Sequence, residues 1–110
     1  MTGPYSLTLP NVDTSVTRTS PGAYLLGRSN SGWSYVGRSD TDLNVRLKSW
    51  VGKGYAYFWF EYASSPKAAF ERECGIWHQN GGPQGKLDNK NHPQRPAGTD
   101  WRCPICRIFG

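Results

Sequence analysis

Glu73 sits where a carboxylate is costly. On a helix spanning it, Ala69, Phe70, Ile76 and Trp77 share its face, and Glu71 projects almost opposite. A carboxylate among apolar neighbours needs a cation beside it or a bound metal ion. Mg²⁺ typically takes only one or two protein carboxylates, with water and substrate phosphate completing its shell. The plainer alternative is an ion pair with Arg46 or Arg38. Arg46 is the matching case, because it lies on the stripe made by Leu43, Leu47 and Trp50. A guanidinium there either meets an anion or snorkels past Leu43 and Trp50 to water. Two tyrosines, in Gly22-Ala23-Tyr24 and Tyr35-Val36-Gly37, lie one hairpin apart. On adjacent antiparallel strands they reach one face and converge on one site, although tyrosine is also an ordinary strand residue. Gly37 allows close approach of the backbone to a ligand. Arg38 after it is either a second anion contact or a solvated strand end.

Cys103-Pro104-Ile105-Cys106 is a second constellation, a CxxC with proline inside, as in zinc knuckles. The remaining soft ligands are Cys74, His78 and His92. Cys74 and His78 are four apart on one helix, hence on one face and away from Glu73. Cys74, His78, Cys103 and Cys106 thus form a candidate structural Zn²⁺ site that staples the end of the chain to the outside of that helix. His92 can take the place of His78, or stand beside Asn89. A redox CxxC and unrelated thiols are the competing readings, and no thioredoxin-like context surrounds the motif.

The elements that must position these groups are legible in outline. Residues 22–27 and 34–38 read as strands around the Asn30-Ser31-Gly32 turn. Ser39 and Asp42 suggest a capping box for a helix that Gly52 and Gly54 stop. Residues 55–63 are aromatic on both faces, as expected of a strand covered on both sides. Ser64-Ser65-Pro66 starts a second helix running to about Asn80, where Gly81-Gly82-Pro83 ends it. Residues 1–20, rich in Ser, Thr and Pro, read as a flexible lead-in with at most a short strand near 5–9. Residues 81–100 are Gly, Pro, Asn and Lys, a disordered composition, yet Trp101, Cys103, Cys106, Ile108 and Phe109 follow, so something pins the tail.

Tyr, Tyr, Arg, Glu and Asn in this order, on strand, strand, helix, strand and helix, resemble the GIY-YIG nuclease superfamily over roughly residues 21–91. The first motif departs from it in reading Gly-Ala-Tyr, which changes a packing side chain and keeps the tyrosine. The resemblance implies an α+β fold, with a three-stranded antiparallel sheet flanked by helices. It implies a nuclease core at 21–91, and the CxxC adds a candidate zinc-stapled tail at 92–110, as some members of that superfamily carry a zinc module. It makes Tyr24, Tyr35, Arg46, Glu73 and Asn89 the catalytic set, with Asn91 the rival of Asn89. Arg46 would hold the scissile phosphate, and Glu73 would bind Mg²⁺ or Mn²⁺. The tyrosines would handle the attacking water, one as general base, which requires a phenol pKa well below the ordinary ~10. Gly37, Arg38, Lys86 and Lys90 are the expected substrate contacts, the lysines tracking a nucleic-acid backbone unless they are merely solvated.

Composition agrees with a polyanion partner. Thirteen Lys and Arg against eight Asp and Glu give a net charge of +5, which favours phosphate neutralisation without specifying it. At 110 residues the chain is one domain. No apolar run approaches the ~20 residues of a membrane helix, and no basic-then-apolar leader is visible. A cytoplasmic protein is expected, and an odd number of cysteines does not suit a disulfide scaffold. With no helix-turn-helix or finger array, a DNA endonuclease of this kind would be structure-selective or weakly specific, or targeted by a partner protein or homodimer. The alternatives are a non-catalytic nucleic-acid-binding module stabilised by zinc and a zinc-stapled protein-interaction domain.

Overall fold

Strand β2 (Gly22–Gly27) is buried along its whole length, because both of its faces carry core side chains. It lies between β3 (Tyr35–Ser39) and β4 (Tyr57–Tyr62), and β1 (Thr2–Ser6) flanks β4. The sheet order is β1-β4-β2-β3, with every neighbouring pair antiparallel. The computed structural model describes residues 1–106, so the last four residues of the expected 92–110 tail lie outside the described residues. Three helices complete an α+β fold: α1 (Leu9–Ser15), α2 (Leu43–Lys48) and α3 (Pro66–Gln79).

Alternation along the strands divides the core in two. Tyr24, Leu26, Phe58 and Phe60 face α1 and α2, packing with Leu7, Val12, Val16, Leu43 and Leu47. Leu25, Val36 and Trp59 face α3, packing with Ile76, Trp77 and Leu87. Helix α3 starts as the sequence indicates, with Ser65 accepting from the Ala68 amide and Pro66 in the first turn. Beyond its last turn Gly81 takes φ 97°, a left-handed conformation that suits glycine.

Three expectations are corrected. The sheet has four strands rather than three, and residues 1–20 are not a loose lead-in. Strand β1 pairs with β4, Thr8 caps α1, and Val12 and Val16 are buried. Asn44 on α2 donates to the Val16 carbonyl and to Asp13, and Lys48 pairs with Asp13. Helix α2 also begins later than a Ser39 cap implies. Asp42 is its N-cap, accepting from the Asn44 and Val45 amides, while Ser39 Oγ accepts from Thr41 and Asp42.

The Gly- and Pro-rich stretch after α3 is tied to the open edge of β3. Leu87 enters the core. The Asn89 carboxamide spans Val36, its Nδ2 donating to the carbonyl at 2.8 Å and its Oδ1 accepting the amide at 3.4 Å. Trp77 Nε1 donates to the Asn89 carbonyl. Asp88 accepts from Tyr55 Oη and pairs with Arg28. No helix among the described residues is long and apolar enough to cross a membrane.

Val12 has no exposed surface, so Val12→Ala is expected to cost roughly 2 kcal/mol by urea unfolding. A loose lead-in would make that substitution silent. The loop has a pH signature. Hydrogen bonds from Arg28 first and then Tyr55 hold the Asp88 carboxyl below its usual range. The contact therefore stabilises fully above the ordinary aspartate value of ~3.9 and fades as pH falls through the lower folded value. Titration downward from the ordinary aspartate range is expected to shift the Trp77 indole N–H resonance before the sheet amides move. An indole signal that stays fixed until global unfolding would contradict this.

Candidate active site and metal cluster

Tyr24, Tyr35, Arg38, Arg46 and Glu73 line one cavity of roughly 260 Å³, with Gly37, Ser39, Asp40 and Thr41 completing its wall. Four elements contribute: β2 brings Tyr24, β3 brings Tyr35 to Ser39, α2 brings Arg46 and α3 brings Glu73. The cavity forms where the sheet ends at β3 and helices from opposite faces come within reach of the same edge.

Glu73 is buried, 8% exposed, and its Oε1 accepts from Arg38 Nη1 at 2.6 Å. Arg38 also donates through Nε to Asp40 at 2.9 Å and through Nη2 to the Gln94 carbonyl, and its Cζ lies 5.1 Å over the Phe70 ring. Of the two partners the sequence allowed for Glu73, Arg38 is the one it meets. Burial raises the Glu73 pKa, and the Arg38 charge opposes that rise. Arg46 is exposed and makes no ion pair among the described residues, so its fork is open to an anion in the cavity.

Tyr24 is 1% exposed, and its hydroxyl accepts from Trp50 Nε1 at 2.7 Å. Tyr35 is half-buried, its ring 4.8 Å from that of Trp50. Burial pushes both phenols above their ordinary value, with the Glu73 charge adding to the rise. Both are therefore neutral hydroxyls at pH 7, able to orient a water or a phosphate oxygen. Neither has the lowered pKa that a general base requires.

Gly37 lies directly opposite Tyr24 in the sheet. A Cβ there would overlap the Tyr24 ring and hydroxyl, so the missing side chain is space for the phenol. Asn89 does not line the cavity; it ties the following loop to β3. Asn91 is exposed. Lys86 and Lys90 are exposed and also lie off the cavity, Lys90 donating to the Gly85 carbonyl.

A second cluster gathers His78 from α3 with His92, Cys103 and Cys106 from the tail, their ligand atoms all within 4.8 Å of one another. These four side chains could bind a metal ion such as zinc. His92 replaces Cys74 in the set expected from sequence. Cys74 is fully buried against Phe70 and Cys103. Burial pushes the Cys74 thiol up. Burial acts on Cys103 in the same sense, but the Cys106 and Ile105 amides together with the His92 and Cys106 side chains bring the thiol down to about 6.

Sequence reasoning missed Asp40, Trp50 and Gln94 as parts of the site. Asp40 sits two residues beyond Arg38, a spacing that carries no motif. Trp50 reads in the sequence only as part of an apolar stripe, yet it lies just beyond α2 and donates to Tyr24. Gln94 acts through its backbone, which no side-chain pattern reveals.

Comparisons with protein-family models, with curated proteins and with solved structures give no match to this chain.

The Gly37–Tyr24 contact is testable by a double-mutant cycle. Gly37→Ala is expected to destabilise by roughly 1–3 kcal/mol through overpacking, and by clearly less in a Tyr24→Leu background. Additive effects in denaturant unfolding would show that the two positions do not constrain each other.

Proposed function

We propose that the cavity is a hydrolytic centre for phosphodiester bonds, acting on DNA with one Mg²⁺ or Mn²⁺ held at Glu73. The observation that supports this most is convergence. Tyr24, Tyr35, Arg46 and Glu73 lie on four separate elements, are singled out by the resemblance to GIY-YIG nucleases, and line one cavity.

The residues fit such an ion. A buried carboxylate faces the cavity, with Asp40 on the same wall, and Mg²⁺ needs only one or two carboxylates beside a substrate phosphate. A divalent ion at Glu73 supplies charge neutralisation on the phosphate and leaving oxygen. Arg46 binds the phosphate with its planar fork. Tyr24 and Tyr35 orient the attacking water as neutral hydroxyls. Asn89 keeps the flanking loop in place. Zinc is the proposed occupant of the His78, His92, Cys103 and Cys106 cluster, since two imidazoles and two thiolates suit it. In this reading the protein works in the cytoplasm, where its cysteines remain reduced. Targeting comes from branched DNA structure, a partner protein or a second copy.

One observation favours a second reading, a non-catalytic nucleic-acid-binding module stabilised by zinc. Arg38 already holds Glu73, so the carboxylate has a partner without a divalent ion.

Cleavage of supercoiled and branched DNA with Mg²⁺ or Mn²⁺ separates the two. The wild-type protein is expected to cut. Arg46→Ala and Glu73→Gln are expected to lower the rate by about 10²-fold or more, Glu73→Gln with DNA binding retained. Unchanged cutting in both variants would sink the assignment of this cavity, and tight binding without cutting by the wild-type protein would establish the binding module.

A further inference from the structure

The metal cluster and the cavity share a segment of chain. His92 is followed by Pro93 and Gln94, and the Gln94 carbonyl receives Arg38 Nη2. Cys103 packs on Phe70 and Cys74. Phe70 is the ring beneath the Arg38 guanidinium, and Cys74 is the residue after Glu73. The segment carrying His92 thus touches the Arg38–Glu73 pair directly, and Cys103 reaches it through Phe70.

The cluster has the features of a closed zinc site. His92 Nδ1 is 2.8 Å from the Pro93 carbonyl. Donating there fixes the tautomer that leaves a lone pair on Nε2. That Nε2 is 3.3 Å from Cys106 Sγ. His78 Nε2 is buried and has no hydrogen-bond partner, a costly state for a ring nitrogen unless something coordinates it. The amides of Ile105 and Cys106 point at Cys103 Sγ, as in loops that hold a metal-bound thiolate. Tetrahedral Zn²⁺, with bonds of ~2.0–2.3 Å, holds its ligand atoms about 3.3–3.8 Å apart. The widest separation here, 4.8 Å, is within about 1 Å of closure.

Besides the cluster, Trp101 packs on Phe70 and the Gln94 carbonyl meets Arg38. Residues 92–106 contain no helix or strand, and their buried side chains are Pro93 and Cys103. The main cores reach no further along the chain than Leu87. An ion joining His78 on α3 to three tail residues would therefore order the tail without being needed for the sheet.

We propose that Zn²⁺ bound by His78, His92, Cys103 and Cys106 fixes the tail against α3 and, through the Gln94 carbonyl and the Cys103–Phe70 contact, sets the position of Arg38 against Glu73. Zinc loading then controls the shape and charge of the cavity from outside it. The inference rests on that cavity being the working site, but its test reads no cleavage, so a chain that does not cut DNA can still satisfy it.

The experiment measures zinc content and the Arg38 Nε–H resonance in the full chain. Backbone circular dichroism is recorded before and after chelation. One ion per chain is expected, retained in Cys74→Ser and lost in Cys106→Ser. The Co²⁺-loaded protein is expected to show the tetrahedral absorption of a two-thiolate site. Chelation should leave the circular dichroism of the sheet and helices in place and speed exchange of the Arg38 Nε–H by about tenfold or more. Failure to bind zinc or cobalt would overturn the site. Loss of the ion in Cys74→Ser with retention in a His92→Ala variant would overturn the ligand set. An Arg38 signal indifferent to chelation would overturn the link to the cavity. Global unfolding on chelation would also overturn that link, making the ion a staple for the whole chain.

Discussion

The Arg38–Glu73 pair is the constraint on which the rest of the site depends. Both side chains are nearly dry, 13% and 10% exposed. Leaving either charge alone at such a place costs roughly 3–5 kcal/mol. The fold meets this by dividing one guanidinium among Glu73, Asp40, a tail carbonyl and an aromatic face. Glu73 and Phe70 come from α3, Asp40 from the turn after β3, and the Gln94 carbonyl from the tail. β3, its following turn, α3 and the tail are therefore held to one another by a single side chain. The geometry of the cavity wall follows from that sharing more than from the apolar packing on either side.

Around this pair the sheet separates dry chemistry from wet. Tyr24 lies deep, its phenol accommodated by the absence of a side chain at Gly37 and oriented by Trp50. Arg46 stands at the outer rim, exposed. An anion entering from solvent would meet the Arg46 guanidinium first and the neutral hydroxyls after it. Burial keeps those hydroxyls protonated, so their contribution is directional hydrogen bonding, which depends on the rings being well packed.

Much of the site could be read in the sequence, because the polar residues concerned interrupt apolar patterns. Glu73 stood out against Phe70, Ile76 and Trp77, and it is buried where the pattern put it. The hairpin and α3 were legible from turn and capping residues. What could not be read depended on distant pairing. Leu7, Val12 and Val16 are sparse among Ser and Thr, and they become core only because β1 lies on β4 and α1 on α2. Three residues separated the expected and observed starts of α2, since both Ser39 and Asp42 can accept backbone amides. Helical spacing placed Cys74 and His78 on related faces, yet a one-residue neighbour of a buried carboxylate turns inward. His92 reaches the cluster through the path of a loop that has no periodicity to read. The reason for Gly37 is a cross-strand neighbour, visible only once the register is known.

The Asn89 carboxamide on Val36 has a consequence for how copies of this protein behave toward one another. A side-chain carboxamide can present an N–H and a C=O on the same side, and here they occupy the carbonyl and amide of Val36 that a fifth strand would pair with on β3. At the opposite margin, β1 contains Pro4, which offers no amide hydrogen, and its register slips between Thr2 and Tyr5. A sheet plugged at one border and broken at the other presents no continuous ladder to an incoming chain. Strand-by-strand polymerisation is thereby discouraged in a small protein whose strands are otherwise rich in the aromatic residues that favour it.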